Sequence, residues 1–346
     1  MGVAGPFSGP NAAFGMQLKN GAEGAIADIN AGGGMLGQKI AVSIGDDVSD
    51  PREAVSVANK FASRGVKFVI GHFNSGTTIP ASDVYRENGM LVISPAATNP
   101  RVTDRGLWNV FRTCGRDDQQ GAVAAAYILK NFPGRKVAIV HDKTTYGQGL
   151  AEETRKAMAT GGMTEALFEG IVVGTKDFAA LVSKIKASGA DLVYFGGTHV
   201  EAALLLRQMR DQGVRATMMG ADGITDDDFA AIAGPAAEGT LMTYGPDPRK
   251  RPEADAVVAK FRAQKFEPQA YTLYSYAAVE IVRQAADEAK SLDPKKIAAV
   301  MHSGRTFKTV IGGMGFDGKG DVQSPAYVMY VWKKNESGKI TYVEIE

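Results

Sequence analysis

The sequence predicts an α/β protein made of two serial units with parallel-sheet cores, closed by a β-rich tail. Three observations lead there. Short apolar runs alternate with longer helical patterns, the signature of βαβ units and a parallel sheet. The alternation occurs as two series, separated near Asp117, and the second runs into a Pro- and charge-rich stretch, Gly245-Pro246-Asp247-Pro248-Arg249-Lys250-Arg251-Pro252, that reads as a linker or domain crossing. The chain has 346 residues, 45% of them hydrophobic, which suffices for two separate cores.

The elements follow in order. Phe14 to Asn30 has a helical pattern closed by Gly32-Gly33-Gly34, and Ile40 to Ile44 is a strand. Asp50 is placed to cap the next helix, with Pro51 at its first position. Val66 to Ile70 is a strand, Thr77 to Asn88 a helix and Leu91 to Ser94 a strand. In the second series, Gln119 to Lys130, Gly149 to Ala159, Phe178 to Ser188 and Glu201 to Asp211 are helices. Val137 to His141, Asp191 to Phe195, Thr217 to Met219 and Thr240 to Thr243 are the intervening strands. After the crossing come helices at Ala254 to Gln264, Tyr274 to Ala289 and Pro294 to Met301, then strands at Ala326 to Trp332 and Ile340 to Val343. The two series resemble each other in architecture, not in sequence.

Composition excludes several classes. Lys plus Arg is 39 against 38 Asp plus Glu, so no basic face for a nucleic acid or membrane surface is implied. The lone Cys114 rules out an internal disulfide framework or a cysteine metal site, and reads as a small buried filler. No apolar run approaches the roughly 20 residues of a membrane span. No signal peptide is present. The abrupt start Met1-Gly2-Val3-Ala4-Gly5 reads as the end of a strand, so the chain is expected to be a mature or trimmed form.

In open parallel sheets, ligands bind beyond the carboxyl ends of the strands. The loops there are Gly71-His72-Phe73-Asn74-Ser75-Gly76-Thr77, Pro95-Ala96-Ala97-Thr98-Asn99, Asp142 to Gly147, Gly196-Gly197-Thr198-His199 and Gly220-Ala221-Asp222-Gly223. Ser75-Gly76-Thr77 precedes a helix, which suits an anion at a helix N-terminus. The plainer reading is that Ser75 or Thr77 is only an N-cap, and the motif alone favours it. Asp222 has the chemistry to hold an ammonium or to shape a turn. Tyr146 and Thr198 could be pocket polar groups or simple loop residues.

Signals for catalysis are poor. None of His72, His141, His199 and His302 has zinc-site spacing, and His72 and His141 read as satisfied structural histidines. Ser75 lies outside a nucleophile elbow, and no phosphate-binding glycine motif is present. Asp226-Asp227-Asp228 could suggest calcium but reads as the charged start of a helix, and Asp46-Asp47 with Asp50 has the same plain explanation.

Taken together, the loops resemble the leucine/isoleucine/valine-binding proteins of bacterial ABC transporters, which have the type I periplasmic binding fold. The segments that carry the resemblance include Gly5-Pro6-Phe7-Ser8-Gly9-Pro10 with Phe14-Gly15, Ala27-Asp28-Ile29-Asn30 and Val55 to Lys60. Others are Ile70-Gly71-His72, Pro80-Ala81-Ser82, Ile93 to Pro100, His141-Asp142-Lys143 with Tyr146-Gly147, and Phe316-Asp317-Gly318-Lys319-Gly320-Asp321. The resemblance covers essentially the whole chain.

It implies two Rossmann-like lobes joined by a three-segment hinge: residues 1–117 with 247–324, and 118–246 with 325–346, with the ligand in a cleft between them. Closure by hinge motion captures the ligand. In the family pattern Ser75 and Thr98 hold the ligand α-carboxylate. The Ala96 carbonyl, the Thr98 hydroxyl and the Asp222 carboxylate meet the ammonium, with Ala97 in the same loop. Tyr146 and Thr198 join Asp222 from the second lobe, and Phe14, Phe73 and Tyr271 line the side-chain pocket. A zwitterion paired at both ends has its desolvation offset. The resemblance implies a periplasmic, monomeric receptor with no metal and no cofactor, which is not an enzyme and delivers to a membrane permease.

Three departures shape the expected ligand. Asp222 replaces the commoner Glu, one methylene shorter, and Tyr is frequent where Phe14 and Thr198 stand. Phe73 replaces a smaller aliphatic residue and fills part of the pocket. The disulfide of some relatives is absent, since Val48 and Asn74 occupy its places. Phe73 with Asp222 resembles a rhizobial subgroup that takes small neutral amino acids. Ala, Val, Pro, Thr or γ-aminobutyrate is therefore expected over Leu, with Ile and Leu still within the expected range. The alternatives are a receptor of the same fold sensing amides or aromatic acids, and an α/β hydrolase using Ser75.

Overall fold

Residues that alternate along a strand fall on opposite faces of its sheet, and strands buried on both faces are apolar throughout. That pattern organises both halves of this chain. The computed structural model describes residues 1–345. They divide into two units, Met1–Gly115 with Asp247–Pro325, and Arg116–Pro246 with Ala326 onward.

The first segment runs β1 (Gly2–Gly5), α1 (Ala12–Ala31), β2 (Ser43–Asp46), α2 (Pro51–Ser63), β3 (Phe68–Ile70), α3 (Ser75–Glu87), β4 (Leu91–Ser94) and β5 (Val110–Arg112). The second runs α4 (Asp117–Asn131), β6 (Val137–His141), α5 (Thr145–Thr160), β7 (Leu167–Gly170), α6 (Ala179–Ser188), β8 (Leu192–Gly196), α7 (His199–Asp211), β9 (Thr217–Gly220), α8 (Asp227–Ala233) and β10 (Leu241–Tyr244). The chain then returns to the first unit with α9 (Asp255–Ala263), α10 (Thr272–Ala289), α11 (Pro294–Met301), β11 (Phe307–Thr309) and β12 (Gly312–Met314). It ends in the second unit with β13 (Val328–Lys334) and β14 (Ile340–Ile345).

The first unit carries a parallel sheet in the order β2-β1-β3-β4-β5. Val3, Phe68, Ile70, Leu91, Ile93 and Phe111 pack on one face with α1 and α10 residues such as Ala22, Leu273 and Val279. Ala4, Val69, Val92 and Val110 pack on the other with Phe61 of α2 and Tyr85 of α3. Helices α1 and α10 approach closely. Gln17 bonds Gln269, Ser275 donates to the Leu18 carbonyl, and a Cβ on Gly21 would lie 2.0 Å from the Thr272 carbonyl oxygen. Only glycine fits there.

The second unit repeats the order as β7-β6-β8-β9-β10, and β13 and β14 extend the sheet antiparallel beyond β10. In each sheet the first strand of the series sits between the second and third. Crossovers therefore leave in opposite directions on either side of that strand, and the loops at its carboxyl end diverge to form a ligand crevice. In the first unit that point lies between β1 and β3, in the second between β6 and β8.

Several sequence expectations need correction. Helix α5 begins at Thr145, α7 at His199 and α10 at Thr272, each earlier than the apolar pattern suggests. Strands β5, β7, β11 and β12 were not expected; each has only three or four residues, too short for a periodicity to register. The proposed cap of α2 is present, with Asp50 Oδ1 accepting from the Arg52 and Glu53 N–H groups. Asp226 caps α8, accepting from the Asp228 N–H at 2.9 Å.

Candidate functional site

In the first unit, the loops after β3 and β4, beside the crevice between β1 and β3, bring the candidate residues together. Asn74, not Ser75 or Thr77, is the N-cap of α3, so the capping role suggested by sequence is not the one these side chains play. Thr77 Oγ1 donates back to the Asn74 carbonyl, and Ser75 Oγ accepts from the Asn99 N–H at 3.2 Å. Ser75 thus ties the start of α3 to the loop after β4, with the positive end of the helix beside it. In that loop Ser94 Oγ accepts from the Ala97 N–H at 2.9 Å and the Ala96 N–H at 3.4 Å, and donates to the His72 carbonyl. Thr98 is 1% exposed, and its Oγ1 makes no hydrogen bond with the protein. A buried hydroxyl in that state costs about 1–3 kcal/mol unless something else satisfies it.

Three aromatic rings lie in the same unit. Phe14 and Phe73 stack with centroids 4.5 Å apart and planes 13° apart. Tyr271 meets both edge-on, at 5.9 Å and 5.5 Å. Its backbone N–H is held by Gln17 Oε1. All three rings are buried, so they fill space that smaller residues would leave open.

His72 takes no part in chemistry at Ser75. Its Nδ1 pairs with Asp47 Oδ2 at 2.5 Å and its Nε2 with the Tyr85 hydroxyl at 2.8 Å, all three groups buried. Both His72 ring nitrogens are committed to Asp47 and Tyr85, so this histidine is not available to Ser75 as a base. His141 Nδ1 likewise accepts from the Lys143 N–H. Cys114 is buried.

The second unit assembles Tyr146, Thr198 and Asp222 at the carboxyl ends of β6, β8 and β9. Tyr146 lies in the first turn of α5 and Thr198 is the N-cap of α7, so neither is a plain loop residue. Tyr146 donates to Asp222 Oδ1 at 2.8 Å and accepts from the Gly223 N–H at 3.0 Å. Burial, reinforced by the Asp222 charge, pushes the Tyr146 hydroxyl well above its usual range, so it stays a neutral donor. Asp222 is 4% exposed at the start of a 3₁₀ turn, Asp222–Ile224. A carboxylate this buried suits a cationic partner.

Asp142, at the end of β6, was not singled out by sequence. It accepts from the Thr144 N–H and hydroxyl, and Thr144 in turn caps α5 through the Gly147 N–H. Burial raises its carboxyl to about 6 against these stabilising bonds. Among the described residues, His199, Asp226 and Asp228 bring one potential metal-ligand atom each within 4.8 Å of one another, but Asp226 is engaged in capping α8.

Comparison with known proteins identifies the family. A family model described as periplasmic binding protein matches residues 1–338. The chain is 57% identical over 344 residues to Leu/Ile/Val-binding protein homolog 1 of Brucella melitensis, covering 99% of this chain and 93% of the relative. It is 50% identical over 342 residues to an amino acid binding protein of Pseudomonas aeruginosa, covering 98% and 91%. Its structure is similar to that of LivJ, the branched-chain amino acid transporter substrate binding protein of Streptococcus pneumoniae, solved with isoleucine. There the TM-score is 0.87 at 26% identity, over 99% of each chain.

Proposed function

This chain belongs to the periplasmic binding protein family, and from that premise we propose that it is the extracytoplasmic substrate-binding component of an ABC amino-acid uptake system. It captures a small neutral or branched-chain amino acid and presents it, as a monomer, to a membrane permease. The names of its Brucella and Pseudomonas relatives support the ligand class.

The observation that carries the reading is a match between two polar sets and the two ends of an amino acid. Ser75 at the start of α3 and the buried Thr98 hydroxyl suit a carboxylate. The buried Asp222 carboxylate, oriented by Tyr146, suits an ammonium. The Ala96 carbonyl and Thr198 complete the polar contacts, with Ala97 in the carboxylate loop. Phe14, Phe73 and Tyr271 meet the side chain, and their mutual packing favours Ala, Val, Pro, Thr or γ-aminobutyrate over Leu. The protein binds without turnover, in keeping with the commitment of both His72 nitrogens.

The test is calorimetric titration of ligand-stripped protein with Ala, Val, Leu, Pro, Thr, γ-aminobutyrate and a neutral sugar. Micromolar or tighter binding of an amino acid, and none of the sugar, is the expected result. No amino acid binding at millimolar concentration overturns the ligand assignment.

A further inference from the structure

Arg112, at the end of β5, has no exposed surface. A buried guanidinium is tolerated only when paired and fully hydrogen-bonded. Its partners are specific. Nε donates to Asp321 Oδ1 at 2.5 Å, Nη1 to the Ala97 and Asn99 carbonyls at 2.9 and 3.1 Å, and Nη2 to Thr103 Oγ1. Thr103 Oγ1 also donates to the same Asp321 oxygen at 2.8 Å.

Asp321 is presented by a rigid turn. Asp317 Oδ1 accepts from the Lys319 and Asp321 N–H groups, and the Asp317 N–H donates to the Asp321 carbonyl. The Arg112 N–H donates to the Gly320 carbonyl. Gly320 has φ +94°, and a Cβ there would lie 2.1 Å from the Val110 carbonyl oxygen, so the turn seats directly on β5. The Phe316–Asp321 motif thereby acquires a role: it delivers one carboxylate to one guanidinium.

The two carbonyls that Arg112 holds flank Thr98. In a trans peptide the N–H points opposite to the C=O of the same unit. Anchoring the Ala97 carbonyl on the guanidinium therefore turns the Thr98 N–H away from it. The Ala96, Ala97 and Asn99 N–H groups are taken by Ser94 Oγ and Ser75 Oγ. Thr98 is thus the residue of this loop whose N–H and hydroxyl are held ready for something outside the network.

We propose that Arg112, clamped by Asp321 and Thr103, is the positioning residue of the carboxylate-binding loop and sets Thr98 in its binding geometry before ligand arrives. This rests on the reading of Thr98 given above. A loop ordered in advance spares the ligand the cost of ordering it.

The experiment compares the parent protein with Thr103→Val, which removes one anchor but keeps the ion pair, and with Asp321→Asn. Each is titrated with the tightest-binding amino acid found for the parent, well below its melting temperature. Hydrogen–deuterium exchange of residues 95–100 is followed with and without that ligand. The expected result is affinity about tenfold weaker, faster exchange of 95–100 in the free variants, recovery of protection at saturating ligand, and restored affinity in Thr103→Ser. Should Asp321→Asn fail to fold, Thr103→Val and its serine rescue decide alone. Variants that melt lower yet match the parent in affinity and in 95–100 exchange overturn the inference by itself. A parent that binds no amino acid overturns the underlying reading, and this inference with it.

Discussion

The Tyr146 hydroxyl and the Asp222 carboxylate share a 2.8 Å hydrogen bond, with the hydroxyl fixed from behind by the Gly223 N–H. Tyrosine donates to only one acceptor, and here its proton goes to Oδ1. Asp222→Asn keeps an acceptor for Tyr146 and leaves the fold intact, but removes the charge that an ammonium needs. Titration calorimetry is expected to show affinity lower by about a hundredfold or more, the scale of losing one side of a buried charged pair. Tyr146→Phe removes one hydrogen bond to the carboxylate without neutralising it and is expected to cost about tenfold.

Thr98→Val separates binding from stability. The Thr98 hydroxyl is buried and makes no protein hydrogen bond. Replacing it with a methyl group of similar shape removes an unsatisfied polar group, worth about 1 kcal/mol or more. Ligand-free Thr98→Val is therefore expected to melt at or above the parent temperature in calorimetry, while its amino acid affinity falls about tenfold. A lower melting temperature with unchanged affinity would count against Thr98 as a ligand group.

Phe73→Val tests the aromatic wall. Removing a ring that stacks on Phe14 at 4.5 Å leaves a void beside Tyr271 and costs stability, about 2–4 kcal/mol by analogy with large-to-small core changes. The enlarged pocket is expected to gain Leu affinity relative to Ala by about tenfold, since each methylene buried in an apolar site is worth about 1–3 kcal/mol. Competition titration of Leu against Ala in parent and variant reads the shift.

Asp142 gives the fold a pH dependence of definite sign. Its carboxyl is raised from 3.8 to about 6 in the folded protein, chiefly by burial. Between those values the folded state holds a proton that the unfolded state has released, so stability from this group is present below pH 4 and lost as pH rises to about 6. The loss is on the order of 3 kcal/mol at most. Glu280, raised to about 7 by burial, acts in the same direction. Asp142→Asn keeps the acceptor for Thr144 and is expected to melt progressively higher than the parent as pH rises from 4 to 7. Equal melting temperatures at both ends of that range would contradict the assignment.

What the sequence made legible was local. The Asp50-Pro51 start of α2 is written in adjacent residues, and its cap bonds reach only two and three positions. The alternating Val, Ile and Leu of β3 and β4 announce strands buried on both faces. The start of α3 was misplaced because Asn74 caps it without a side-chain bond, so the usual signal is missing. The Arg112–Asp321 pair joins residues 209 positions apart, and no spacing rule spans that distance. A hint was present all the same: an arginine ending the short apolar run Val110-Phe111 must find a partner if it is buried. Asp142 was not singled out because its raised pKa comes chiefly from burial, which local sequence does not show. Ser75, Tyr146, Thr198 and Asp222 were singled out by their place after strands, while the family resemblance supplied their roles and pointed to Thr98.

The crossing at Asp247 bears on how this molecule is made. Helix α1 rests on α10 through contacts such as Leu18 to Ser275, which are 257 residues apart. Strand β10 likewise waits for β13, near the end of the chain. A polypeptide emerging amino end first therefore cannot complete either core until nearly all of it has been synthesised. Contacts of such long range are slow to form. Each core therefore lacks one of its packing partners until the carboxyl-terminal segments arrive, so neither unit closes by itself during the early part of synthesis.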